Sequence, residues 1–161
     1  MRSSAPLPGE LLRLESSPPR RLFALGVLYG LGALVLLLAF GPVPGLAARL
    51  ALLGLGGLIL WQAERMRRGT AVAVVLTGEG LFESGGRVIA RRAEMLRVDR
   101  SLFAFKPTNG FLVHLSGSAP AVWSPGLWWR IGRRVGIGGV VAGAEARAMA
   151  DRLSLLLETG Q

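Results

Sequence analysis

The sequence predicts an α+β membrane protein: an N-terminal two-helix transmembrane hairpin followed by a curved antiparallel sheet and a C-terminal amphipathic helix. Three observations carry this. Leu22 to Phe40 is nineteen residues without a charge, and Leu46 to Trp61 is apolar apart from Arg49. From about residue 70 the pattern changes to short apolar or β-branched runs divided by glycine turns, as in an antiparallel meander. The chain closes on a run in which Ala146, Met149, Ala150, Leu153, Leu156 and Leu157 recur at helical spacing.

Composition agrees with a membrane class. Of 161 residues, 51% are hydrophobic and only 18% charged, too apolar a balance for an ordinary water-soluble domain. The formal net charge is +9, and eighteen of the nineteen cations are arginine, Lys106 being the one lysine. Such a chain suits anionic lipid, nucleic acid or an acidic protein. It has no cysteine, which excludes disulfides, thiolate nucleophiles and Cys-based metal sites. With one histidine as well, no metal site and no cofactor are expected.

Residues 1–19 carry Pro6, Pro8, Pro18 and Pro19 among serines, which predicts an irregular tail with at most a helical turn around Leu11 to Leu14. Residues 20–68 form the hairpin. Leu22 to Phe40 as a helix spans roughly 28 Å, enough for the hydrocarbon core. Gly41-Pro42-Val43-Pro44-Gly45 stops it and reverses the chain. Arg49 lies one turn inside the second run and can snorkel to the headgroups; an interfacial or re-entrant segment is the alternative there. Arg20-Arg21-Leu22-Phe23 also looks like an export signal, but the run is long for one and a second run follows at once. Arg13, Arg20 and Arg21 precede the first run, and Arg65, Arg67 and Arg68 follow the second. The positive-inside rule therefore puts both termini, and the domain formed by residues 69–161, in the cytoplasm. Gly26, Gly30 and Ala33, then Ala47, Ala51 and Gly54, form small-residue stripes for helix packing, either on each other or on a partner's helix.

Strands are expected at Thr70 to Thr77, Leu81 to Ser84, Arg87 to Ala90, Met95 to Asp99, Leu102 to Phe105, Phe111 to Leu115 and Ala121 to Trp123. No catalytic constellation accompanies them. His114 has apolar neighbours on the opposite strand face, and Glu79, Glu83, Glu94 and Asp99 are scattered. Gly136-Ile137-Gly138-Gly139 is no dinucleotide loop, because Val141 stands where the fingerprint needs glycine; these glycines read as a tight path into the last helix. Trp123, Trp128, Trp129, Arg130, Arg133 and Arg134 fit a surface that meets a partner or lipid headgroups, tryptophan favouring the interface and arginine pairing with phosphate or carboxylate. Burial of the tryptophans in the core, with the arginines solvated, is the competing reading. A recognition helix or aromatic sheet motif is missing, so nucleic acid is not an expected partner.

The stretch "LTGEGLFESGGRVIARRAEMLRVDR" resembles the opening strands of bacterial pleckstrin-homology-like domains, which often follow a two-helix membrane hairpin. "FAFKPTNGFLVHL" and "GLWWRIGRRVGIGG" resemble small membrane proteins of alphaproteobacteria. The likeness covers roughly residues 20–158 and departs in the segment 123–134. It implies a PH-like antiparallel β-sandwich or barrel with a C-terminal helix, at the bacterial inner membrane. It further implies a non-catalytic accessory subunit or assembly factor of an integral membrane complex, respiratory or photosynthetic, with no small-molecule substrate. The alternative is an anionic-lipid-binding module tethered by its own hairpin.

Overall fold

The computed structural model describes residues 8–42, 45–99 and 109–159. In chain order the elements are β1 (Glu10–Leu14), α1 (Pro18–Ala39), α2 (Leu46–Gly69), β2 (Val74–Thr77), β3 (Gly80–Glu83), β4 (Val88–Arg91), a 3-10 turn (Arg92–Glu94), β5 (Met95–Asp99), β6 (Phe111–Ser124), β7 (Trp128–Ile137) and α3 (Gly143–Glu158). They form two compact units: Pro18–Arg68, and a second in which the residues up to Ser17 join those from Gly69 onward.

In the helical unit, α1 has 22 residues and α2 has 24, each long and apolar enough to cross a membrane. Pro18 and Pro19 sit in the first turn of α1, where the missing N–H costs nothing. Much of the apolar surface is uncovered: Phe23 is 75% and Phe40 77% exposed. Apolar area of that extent is covered in nature by lipid or by another chain. The helices meet through Gly32, which lies against Leu60 and Ile59, and Gly56, which lies against Leu36. Leu25, Gly32, Val35 and Ala39 are buried on one face of α1, as are Gly56 and Ala63 on α2. At one end Tyr29 donates to a Glu64 oxygen (3.1 Å), and Glu64 also accepts from Arg67 and Arg68 (2.7 Å each).

In the β unit, β2 is buried at all four positions and supplies the centre of a sheet with strand order β1-β2-β3-β4. The expectation of an irregular tail is corrected here. Leu12, Arg13 and Leu14 pair antiparallel with Leu76, Val75 and Val74, and Leu14 is fully buried. A strand of five residues without alternation has no local signature; it forms because β2 has a second edge whose backbone groups must be paired. The helical hairpin is thus an insertion between two neighbouring strands of one sheet. The two points where the chain leaves and re-enters are tied together: Ser16 Oγ donates to the Thr70 carbonyl (2.8 Å), and Ser17 N–H to that of Val140 (2.7 Å).

The second sheet has strand order β5-β6-β7. The two expected strands at Phe111 to Leu115 and Ala121 to Trp123 are one continuous β6 of 14 residues, with register irregularities between His114 and Val122. Ser116, Gly117 and Pro120 look like a loop locally, but pairing with β7 absorbs them as bulges. The segment Trp128–Ile137, not expected as a strand, is β7. Thr70 to Ala73 precede β2 as a turn and its exit, and Leu102 to Phe105 lie outside the described residues. Leu14, Leu76, Leu81, Ile89, Phe111, Val113, Trp128 and Val135 form the core, closed by Ala146, Met149, Ala150 and Leu153 of α3. These four recur at i, i+3, i+4 and i+7, the face expected from the sequence, with Leu156 and Leu157 partly buried beside them.

Candidate interaction surfaces

Opposed residues in an antiparallel pair share a face. In the β6–β7 hairpin, Ser124 opposes Trp128 and Trp123 opposes Trp129, so the two faces carry different tryptophans. Trp128 is 1% exposed, and its indole N–H donates to Glu83 Oε1 (2.8 Å) while the Arg87 guanidinium lies over its ring at 5.8 Å. Arg130 is also internal to the fold, donating to the Ile89 carbonyl (2.9 Å). Trp129 is half-buried with its ring laid over Gly136, where any Cβ would overlap the indole. The other face presents Trp123, 50% exposed, and Ile131, 60% exposed, followed by exposed Arg133 and Arg134.

The six residues expected as one contact cluster therefore divide. Trp128 and Arg130 hold the fold, Trp129 covers a glycine, and Trp123, Arg133 and Arg134 remain at the surface. Period-two alternation separates Trp128 from Trp129, but it becomes usable only once the segment is known to be a strand. Ile131 was missed, because a lone isoleucine among arginines gives no signal until its exposure is seen. Gly132, at φ +57°, interrupts the regular strand, and Arg133 and Arg134 beyond it are both exposed. At the start of the hairpin turn, Ser124 Oγ donates to the carbonyl of Gly69, the last residue of α2 (3.3 Å). Gly138 and Gly139, both at positive φ, lead out of β7, and Gly139 is packed against the carbonyl of Gly126.

An open groove of about 760 Å³ lies on the outer side of β3 and β4. Phe82 and Val88, a cross-strand pair, line it with Leu96 and Leu157, and Glu79 and Arg91 stand at its rim. In the sequence Glu79 reads only as one of several scattered carboxylates and Arg91 gives no signal, since the groove is assembled from separate elements. His114 is half-buried, its Nε2 3.7 Å from an Asp99 oxygen and too far for a hydrogen bond. Arg97 and Arg134 are its cross-strand neighbours. Among the described residues no cluster of three His, Asp or Glu could hold a metal ion.

The small-residue stripes also differ from the simpler expectation. Gly26, Gly30, Ala33, Ala47, Ala51 and Gly54 are exposed, and a Cβ at Gly26, Gly30 or Gly54 would meet nothing within 4 Å. They do not pack the two helices on each other. Gly30 precedes Gly32, and Gly54 precedes Gly56, by two residues, about 200° around a helix, so once the interface is built on Gly32 and Gly56 the stripes face away. Comparison of the chain with protein-family models, with curated proteins and with solved structures gives no match.

Proposed function

We propose that the chain is a non-catalytic, membrane-anchored accessory subunit or assembly factor of a larger bacterial inner-membrane complex. The two apolar helices span the bilayer as a hairpin with both termini cytoplasmic; Arg20 and Arg21 before α1's apolar run and Arg65, Arg67 and Arg68 at the end of α2 support that orientation. The β unit, a four-stranded and a three-stranded antiparallel sheet with a C-terminal helix and the helical hairpin inserted after the first strand, is read within this proposal as pleckstrin-homology-like on the sequence resemblance. A respiratory or photosynthetic complex is the kind of partner the family resemblance implies.

The observation that carries the proposal is the outward placement of the small-residue stripes. In lipid, helices associate by close packing rather than by hydrophobic burial, and small residues permit that approach. The hairpin spends Gly32 and Gly56 on itself and leaves Gly26, Gly30, Ala51 and Gly54 open to helices of another chain. Affinity purification from native membranes in a mild detergent tests this. The wild-type chain should carry a stoichiometric partner that Gly30→Leu or Ala51→Leu releases; a chain that purifies alone, or partners retained by both variants, rules it out.

A further inference from the structure

We propose that the end of the helical hairpin at which α2 leaves the bilayer binds an anionic phospholipid, whose phosphate is taken by Arg65 and Arg68. The site presupposes the proposed insertion of α1 and α2 and is built from the hairpin alone. Charge is concentrated at this end. Between Pro18 and Arg68 stand Arg20, Arg21, Arg65, Arg67 and Arg68 against one carboxylate, Glu64, with Arg49 near the opposite end of α2. Trp61, Glu64, Arg65 and Arg68 recur at i, i+3, i+4 and i+7 and so share one face of α2. The Arg65 guanidinium lies over the Trp61 ring at 4.9 Å, and Arg68 Nε donates to Glu64 (2.7 Å) while its side chain stays 76% exposed. Glu64 also accepts from Arg67 (2.7 Å), so a single carboxylate orients two guanidiniums without neutralising both.

Depth selects lipid as the occupant. Gly32 against Leu60 and Gly56 against Leu36 set a register that brings Tyr29 level with Ala63, close to Trp61. An indole 54% exposed and a phenol 36% exposed at nearly one level of an antiparallel pair mark a membrane–water boundary. Side chains on a helix lean toward its N-terminus, which from this end of α2 is the bilayer side. Both contacts run back by one turn in that direction, Arg65 to Trp61 and Arg68 to Glu64. The Arg68 guanidinium is thereby held near the level of Glu64, roughly 5 Å beyond Trp61 along the axis. The headgroup layer is about 5 to 8 Å deep on each side, so phosphate groups occupy this depth. Phe23 and Val27 of α1, 75% and 51% exposed, fall level with Arg65 to Gly69 and add apolar surface beside the cations. Arginine against phosphate, next to apolar side chains against the acyl-glycerol boundary, matches a phospholipid. An acidic protein would have to displace phosphates that the bilayer already places there.

Native mass spectrometry of the full chain, released from a mild detergent with phosphatidylglycerol or phosphatidylcholine added, tests this. The wild-type chain should retain phosphatidylglycerol several-fold more than phosphatidylcholine at equal lipid concentration. Arg65→Gln with Arg68→Gln should abolish that preference, and Arg49→Gln, near the other end of α2, should keep it. Far-ultraviolet circular dichroism of each variant checks that the helices persist. Equal retention of the two lipids by the wild-type chain overturns the proposal. A preference that survives the double variant, or that Arg49→Gln removes to the same extent, overturns it as well. Displacement of the lipid by soluble glycerol phosphate at matched concentration would also overturn it, since a free phosphoryl group would then be the ligand. Carbonate extraction of the chain from phosphatidylglycerol vesicles would instead refute the insertion, a separate failure.

Discussion

Replacing Trp128 by alanine should unfold the β unit under conditions in which Trp123→Ala leaves it intact. The two residues lie five apart in sequence at the same hairpin turn, yet one is 1% and the other 50% exposed. Truncating a buried tryptophan costs about 3 to 5 kcal/mol through lost contacts and the space left behind. The indole N–H bond to Glu83 goes with it, and a hydrogen bond to a charged group is worth about 1.5 to 3 kcal/mol. Glu83 sits in a half-buried position and regains water, so the total stays near 4 kcal/mol. Domains of this size lose roughly 4 to 8 °C of Tm per kcal/mol, which puts the shift at about 15 °C or more. Trp123→Ala, at the surface, should stay within about 0.5 kcal/mol. Thermal unfolding of the full chain in detergent, followed by near-ultraviolet circular dichroism, measures both. Equal shifts for the two variants would refute the assignment of faces on β6 and β7.

Gly136→Ala should destabilise the β unit by about 1 to 3 kcal/mol, because the added methyl displaces the Trp129 ring, and Trp129→Ala in the same chain should remove most of that penalty in denaturant titrations. Leu14→Ala should cost about 2 to 5 kcal/mol although it lies in a proline-flanked N-terminal segment; a neutral result would mean β1 is dispensable. Gly56→Leu should lower the thermal stability of the helical hairpin in detergent while Gly54→Leu, two residues away, does not. Joining Ser17 to Gly69 through a short glycine-serine linker should yield a water-soluble β unit, whereas a fragment that merely begins at Gly69 should not fold, as chemical-shift dispersion in NMR spectra would show.

Much of the architecture was legible because it depends on local pattern. A long uncharged run, a second apolar run broken only by Arg49, a glycine-proline reversal, short strands between glycines and an i, i+3, i+4, i+7 face are properties of consecutive residues, and α1, α2, β2 to β5 and α3 follow from them. The elements that escaped are those whose structure depends on a distant partner. Glu10–Leu14 becomes a strand only because β2, some sixty residues later, offers an edge, and Trp128–Ile137 only because β6 pairs along its length. In both segments prolines, arginines or glycines hide the period that a strand would otherwise show.

The candidate surfaces divide along the same line. From the sequence alone came the chemistry: arginine excess, tryptophans beside arginines, small residues at helical spacing, and no nucleophile–base pair. Only the tertiary structure decided which of those groups are available. The pleat turned Trp128 inward and Trp123 outward, and the choice of Gly32 and Gly56 for the helix contact rotated Gly30 and Gly54 to the outside. The groove joins Phe82, Val88 and Leu96, on three successive strands, to Leu157 of the distant α3. Residue type sets what a side chain can bind; long-range pairing, a cooperative property of the whole chain, sets which side of the protein it faces.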